Sequence, residues 1–191
     1  MKKTTVILFM IIQSVLLASA QTKKTAGIAA VYTQGMRISA EAAGSMVRIE
    51  ATKSNYFTIL DKLDIEEAIA NNEIEMSNCL GRECLLKLGK AIGADKIISC
   101  SIENIGKNIA ITIKILDVGT GNYDVVTLQE FLNLEGELQS MIQITLNKAL
   151  GIENNSELLN KLIYYNQPVE APITYIKNSG PRMGVAILGG E

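Results

Sequence analysis

Three cysteines are the most reactive side chains of this 191-residue chain. Cys79 and Cys84 lie close together, which favours a disulfide in an oxidising compartment, with two reduced thiols as the alternative. A ring this short contributes only about 2 kcal/mol of stability, so its expected role is to hold a loop against the start of a helix. Cys100 falls in a predicted strand without a basic neighbour, which favours an inert core thiol.

Four carboxylates stand together at the start of a predicted helix: Asp61, Asp64, Glu66 and Glu67. Such a group could supply an acid–base pair or a cation site. It could also cap free backbone N–H groups and meet the positive end of the helix dipole, and this structural role is the favoured interpretation. A hydrolase that uses Asp61 or Cys100 is therefore the least favoured function.

The chain contains no histidine. This excludes Ser-His-Asp and Cys-His catalysis, histidine-ligated zinc and imidazole acid–base chemistry at neutral pH. Gly119, Thr120 and Gly121 lack the continuation and the following helix of a phosphate loop, and Gly89 and Lys90 fall inside or at the end of a predicted helix. The sequence therefore predicts no catalytic residue, no cofactor and no metal site.

The charge balance argues against nucleic-acid partners. The formal net charge is −2, and no run of Lys or Arg is present that would neutralise a phosphate backbone. Six Tyr, three Phe and no Trp leave little material for stacking on bases or sugar rings. We expect protein partners and no nucleic acid.

Residues 1–20 have the pattern of a secretory signal peptide. Lys2 and Lys3 precede an apolar run, and small residues lead to an expected cleavage site between Ala20 and Gln21. The apolar run is shorter than the roughly 20 residues of a spanning helix. No cysteine lies near this junction, so we expect an exported protein that is not a lipoprotein. It would be periplasmic or associated with the outer membrane, with a membrane association that is peripheral at most.

Periodicity predicts an α/β (α+β) fold in the order β-α-β-α-α-β-β-β-α, with helices flanking a mixed sheet. The expected strands are 26–33, 56–60, 96–102, 109–116 and 123–132. The expected helices are 38–53, capped by Ser39, 61–70, capped by Asp61, 82–92 and 134–150. Ile109, Ile111, Ile113 and Ile115 alternate with other residues and predict one apolar face of a hairpin.

Several short motifs follow one another in a defined order from about residue 26 to 151. They are Ala40-Glu41-Ala42, Tyr56 to Asp61, Cys79 with Cys84, Gly93 to Lys96, and Leu116 to Gly121. In order and spacing they resemble the curli-assembly (CsgG-like) envelope proteins. The fold of that family is akin to the amino-terminal domain of TolB and to the penicillin-binding-protein activators.

This resemblance implies a non-catalytic role in the cell envelope, either in secretion and outer-membrane assembly or in docking onto other envelope proteins. It implies a CsgG/TolB-like domain over residues 21–151. The lipid-bearing cysteine and the paired long membrane hairpins of the curli secretion lipoprotein are missing here. Ordinary sheet packing is thus expected for the hairpin over 109–132.

The carboxyl-terminal part carries weaker signals. Residues 152–167 are expected to hold an additional helix, and residues 168–191 form a tail with a predicted hairpin that either belongs to a truncated product or adds to the sheet edge.

Binding of envelope proteins, through a sheet edge or the loop of Cys79 and Cys84, is the favoured function, with a homo-oligomer left open. The alternatives are a penicillin-binding-protein activator type of regulator, and a small-ligand or glycan module that uses Tyr32, Tyr56 or Tyr123.

Overall fold

The computed structural model describes residues 23–76 and 79–163. The strands are β1 (Thr25–Ile28), β2 (Tyr32–Gln34), β3 (Thr58–Ile59), β4 (Lys96–Ile105), β5 (Asn108–Asp117) and β6 (Tyr123–Leu132). The helices are α1 (Ala40–Ser54), α2 (Lys62–Asn71), α3 (Arg82–Ala91), α4 (Leu138–Leu150) and α5 (Ser156–Leu162). The expected signal peptide with its junction at Ala20 and Gln21, and the tail over 168–191, lie outside the described residues.

The strands form one mixed sheet in the order β3-β1-β4-β5-β6. β1 runs parallel to both β3 and β4, whereas β4, β5 and β6 pair antiparallel. Short local connections favour the antiparallel β4-β5-β6 meander, and the parallel pairs require the helical crossovers that precede them. The predicted mixed sheet flanked by helices is confirmed.

The predicted single strand over 26–33 is wrong in one respect. β1 and β2 both pair with β4, with Ile28 opposite Ile98 and Tyr32 opposite Ser101. Ile28 and Tyr32 are four residues apart in the sequence, whereas their partners Ile98 and Ser101 are only three apart. The segment between β1 and β2 therefore contains one extra residue, as in a β-bulge. The extra residue interrupts the ladder and reverses which side chains face each layer.

One face of the sheet is covered by α1 and α4. The four isoleucines of β5 that alternate in the sequence are all buried there, against Val47 of α1 and Met141 of α4 among others. α5 packs on the same layer through Leu162, and Ile163 pairs with Phe131 of β6. The predicted apolar face of the hairpin is confirmed, because the described helices supply the layer that buries it.

The opposite face is covered by α2 and α3 at one end only. Leu85 and Leu88 of α3 pack on Ile97 of β4 and Leu116 of β5. These two strand residues lie at the end of the sheet where β4 begins and β5 finishes. The remainder of this face has no helix over it within the part of the chain that the structure describes.

The predicted helix starts are correct where a side chain caps the backbone. Ser39 accepts a hydrogen bond from the Ala42 N–H at 3.2 Å, and Asp61 accepts one from the Leu63 N–H at 2.7 Å. The helix expected over 134–150 instead begins at Leu138, after a 3-10 turn at Glu135–Glu137. The strand expected over 56–60 shortens to Thr58–Ile59, because only these residues pair with β1.

The inward face of α1 also differs from expectation. In the helix predicted over 38–53, helical spacing groups Ala42 and Ile49 with the other apolar positions, yet both are exposed and Glu50 is buried. Glu50 accepts hydrogen bonds from Lys53 at 2.8 Å and from Gln139 of α4 at 2.7 Å. A buried carboxylate is tolerated when it is paired in this way. Across the described residues, no helix is both long and apolar enough to cross a membrane.

Candidate protein-binding surface

A disulfide joins Cys79 to Cys84, whose Cα atoms are 5.2 Å apart. Cys79 is buried in the layer under α3, and Cys84 lies in the first turn of that helix. Gly81 begins α3 without a side-chain cap. The covalent bridge therefore holds the loop at a helix start that has no side-chain cap of its own. Leu80, within this loop, lies beside the uncovered part of the sheet.

The uncovered part of the sheet is a surface that we call the open face: Tyr32, Ser101, Glu103, Thr112, Lys114, Val126 and Leu128. Directly paired residues of adjacent strands point to the same side of a sheet. Ser101 pairs with Thr112, and Thr112 pairs with Leu128. The loop of Cys79 and Cys84 borders this row, since Leu80 and Thr112 line one shallow cleft of about 230 Å³.

The open face combines apolar and polar groups. Val126 and Leu128, on the outermost strand β6, are 58% and 55% exposed, and Tyr32 is 40% exposed. The Lys114 ammonium lies 5.8 Å from the centre of the Tyr123 ring, within cation–π range. Exposed aliphatic side chains beside hydroxyls and charges are the composition of a surface that docks another protein.

The sequence pattern did not predict the open face. Val126 and Leu128 alternate along β6 with Val125, which packs on the covered side of the sheet, and with Thr127, which is buried. Run together in the sequence, the four residues are typical of an ordinary strand. The available signal was the number and length of the helices, because two helices of ten residues each cannot cover one whole face of a six-stranded sheet.

Cys100 points to the other face of the sheet, among the residues under α1 and α4. Burial raises the pKa of its thiol to about 12. The thiol is therefore protonated at neutral pH, and a protonated thiol is a poor nucleophile. The structure brings no second group of catalytic type to it in the hydrogen-bond network, where its Sγ contacts only the Ser101 carbonyl at 3.9 Å among the described residues.

The four carboxylates at the start of α2 are exposed and do not converge. Asp61 caps the helix, and Glu66 lies 3.4 Å from Lys62. Lys62 also contacts Glu41 of α1 at 2.9 Å. This arrangement is that of helix caps and surface ion pairs, the interpretation favoured from the sequence.

Tyr32, Tyr56 and Tyr123 do not form one contact surface. The ring of Tyr56 packs edge-on against the ring of Phe57, with ring centres 4.9 Å apart. Both residues come just before β3, which forms one edge of the sheet. Tyr123 opens β6 at the opposite edge. Four strand spacings separate the two edges, roughly 19 Å.

The glycine turn and the segment that precedes β4 meet at one end of the sheet. Val118 N–H donates to the Asp95 carbonyl at 3.0 Å, and the Thr120 N–H donates to the Asp117 carboxylate at 2.7 Å. The ammonium of Lys96, which is 5% exposed, donates to Asp117 and also to Asp124, the latter at 2.5 Å. Residues 119–121 thus act as a turn held by an ion triad in which Lys96 is buried and the carboxylates are partly exposed, an arrangement that the sequence did not predict.

Within this triad the pKa of Asp117 is lowered and the pKa of Lys96 is raised. The Lys96 ammonium and the Thr120 N–H hold the pKa of Asp117 well below its usual range. Burial by itself would lower the pKa of Lys96, but the hydrogen bonds to Asp117 and Asp124 raise it overall. Both shifts stabilise the charged forms near neutral pH.

We expect the fold to lose stability in acid through Asp117. Its lowered folded-state pKa contributes stability above its unfolded pKa of about 4, and this contribution is lost as the pH falls toward the folded value. Urea unfolding at pH 5, 4 and 3 measures the slope. The Asp117→Asn variant should show a shallower fall than the parent chain. Equal slopes would show that Asp117 is not a principal acid-sensitive group.

No protein-family model matches this chain, and no curated protein matches it. Similar folds occur among solved structures. The LpoB C-terminal domain from Salmonella enterica has 16% sequence identity and a TM-score of 0.50, covering 62% of this chain and 90% of that chain. Its counterpart from Escherichia coli has 15% identity and a TM-score of 0.49, covering 63% of this chain and 91% of that chain.

TolB from Acinetobacter baumannii is a third similar structure. It has 16% identity and a TM-score of 0.43, with 70% of this chain and 30% of that chain covered. At these identities the similarity to the Salmonella domain shows a shared fold alone. The related fold expected from the sequence motifs is thus found for the LpoB domain, and no CsgG family model was matched.

Proposed function

We propose that this chain is a non-catalytic protein of the cell envelope that binds another envelope protein through the open face. The observation that carries the proposal is the exposure of Val126 and Leu128 on the same open face that the disulfide-held loop borders. Large exposed aliphatic groups on a sheet edge are costly to keep in water and are typical of docking surfaces. A disulfide also suits the oxidising compartment to which the predicted signal peptide directs the chain.

Regulation of cell-wall synthesis is the more specific role that we favour. The solved domain with a TM-score of 0.50 is LpoB, of the penicillin-binding-protein activator type. This similarity supports the activator interpretation over secretion of fibre subunits. The partner would then be a cell-wall synthase.

A photo-crosslinking amino acid at Leu128 tests the proposal in intact cells. We expect ultraviolet light to produce an adduct with an envelope protein that mass spectrometry identifies, and a penicillin-binding protein would support the regulatory role. Leu63 is the matched control, since it is 71% exposed on α2 away from the open face. An adduct with a fibre subunit would support the curli-type role instead. No adduct at Leu128, or the same adduct at Leu63, would contradict binding through the open face.

Disruption of the same surface supplies a second measurement. The change Leu128→Glu adds a charge to an exposed position, so we expect the fold to be retained and co-purification of the partner to be lost. Leu63→Glu should leave both unchanged.

A further inference from the structure

A cleft of about 530 Å³ lies between α1 and α2, away from the open face. Its floor is the segment over residues 28–31, which directly follows the end of β1. α1 packs on one face of the sheet through Val47, and α2 packs on the other through Ile65. The cleft thus opens just past the carboxyl end of the parallel strand β1, between two helices on opposite faces of the sheet, which is the kind of position at which α/β folds bind ligands.

Small and apolar residues make the cleft. Gly44 contributes no side chain to the α1 wall, and a Cβ added there would meet only Val31 at an ordinary contact distance of 3.7 Å. Ala29 and Ala30 leave room at the floor, and Ile69 lines the α2 wall. A pocket of this volume and composition is of the size that holds a small molecule.

Charged groups at the cleft are unequally paired. Lys62 forms salt bridges with Glu41 at 2.9 Å and with Glu66 at 3.4 Å, so these three charges offset one another. Arg48 has no salt bridge among the described residues. One of its N–H groups donates to the Leu60 carbonyl at 2.9 Å, and no other hydrogen bond from it is formed within that part of the chain.

Arg48 therefore holds unused donors in a partly buried position. Burial lowers its pKa, and longer-range attraction from Asp61 and Glu66 offsets this effect only in part. The guanidinium presents a planar fork that matches a carboxylate in two parallel hydrogen bonds. A bound carboxylate would accept hydrogen bonds from the guanidinium N–H groups that do not bond to Leu60.

We propose that this cleft binds a small monocarboxylate with an apolar body, with the carboxylate on Arg48 and the apolar part over residues 28–31 and beside Gly44. The paired Glu41 and Glu66 at the rim disfavour ligands of higher negative charge. A single carboxylate on an aliphatic chain supplies one negative charge for Arg48 and an apolar body for the rest of the cleft. This ligand site is independent of the partner surface formed by β2, β4, β5 and β6.

Decanoate, used below the concentration at which it forms micelles, is the probe. Calorimetric titration of the full-length chain at pH 7 should give saturable binding. Decanol, which keeps the chain and lacks the charge, should bind at least tenfold more weakly, since charge-assisted hydrogen bonds to Arg48 supply the difference. Absence of decanoate binding, or equal affinity for decanol, would overturn the proposal.

Three variants locate the site. Arg48→Met should weaken decanoate binding about tenfold or more, whereas Arg82→Met, at an exposed position of α3, should leave it within twofold. Gly44→Leu should fill the cleft and abolish binding while circular dichroism shows an intact fold. If Gly44→Leu does not fold, Arg48→Lys supplies the readout, since it keeps the charge, loses the fork and should bind several-fold more weakly. Wild-type affinity in Arg48→Met or in a folded Gly44→Leu chain would refute the location.

Discussion

Replacement of Lys96 by Met is expected to destabilise the fold by about 3 kcal/mol, the cost of removing one partner from a buried ion pair. Met keeps the length and bulk of the side chain but leaves Asp117, whose side chain is 17% exposed, without its cation. The Asp117 carboxylate also accepts the Thr120 N–H, so the loss reaches the turn that joins β5 to β6. Urea denaturation monitored by circular dichroism measures the change.

Lys161→Met is the matched control. Lys161 contacts Glu137 at 2.8 Å, but its side chain is 58% exposed, and an exposed ion pair is worth at most about 1 kcal/mol. A small effect of Lys96→Met, equal to that of Lys161→Met, would show that the triad is an ordinary surface pair. In that case the packing of α3 on the turn would have to hold this end of the sheet.

Replacement of Gly89 by Ala is expected to destabilise the fold by about 2 kcal/mol, although Ala favours helices more than Gly does. Gly89 is buried on α3 where the helix meets the turn after β5. A Cβ added there would lie 2.4 Å from Val118 Cγ2 and 3.0 Å from Ile97 Cγ1. Neither branched side chain can move aside freely, because both are packed in the layer under α3.

Gly44→Ala supplies a control of opposite sign. Gly44 lies inside α1, and the added Cβ would meet Val31 at 3.7 Å without a clash. The gain in helix propensity then stands alone, and we expect an increase in stability of about 1 kcal/mol. If both substitutions stabilise the chain, the close approach of α3 to the turn is not a constraint on the fold.

Features that depend on near neighbours in the chain were predictable. The alternation of Ile109, Ile111, Ile113 and Ile115 requires a strand with one apolar face whatever covers it. Ser39 and Asp61 cap helices through bonds that span two or three residues, so their types and positions were sufficient to place α1 and α2. The order of elements follows from such local signals.

Features that depend on pairing between distant residues could not be predicted from the sequence. The bulge between β1 and β2 exists only relative to β4, and a run of apolar residues carries no sign of it. Glutamate is usually exposed, yet Glu50 is buried, because Gln139, far along the chain, gives it a hydrogen-bond partner. Lys96 and Asp117 belong to motifs of the sequence, but the sequence assigned them no role. The β4-β5 register pairs these two residues and so brings their charges together.

The cysteines show the same difference between local features and features that depend on the tertiary structure. Their spacing by itself favoured a bridge and limited its stabilising effect, because ring size is a property of the chain. The tertiary structure decided that the bridge borders the open face and that Cys100 lies under α1 and α4 with its thiol protonated.

The sequence by itself determined the layers of this protein, because helix caps and the alternation of side chains are local. Only the tertiary structure decided where those layers end, since covering a sheet depends on how many helices reach each face. The exposed Val126 and Leu128 lie where no described helix covers the sheet, and Arg48 lies in the gap between α1 and α2. Both candidate binding surfaces of the chain arise there.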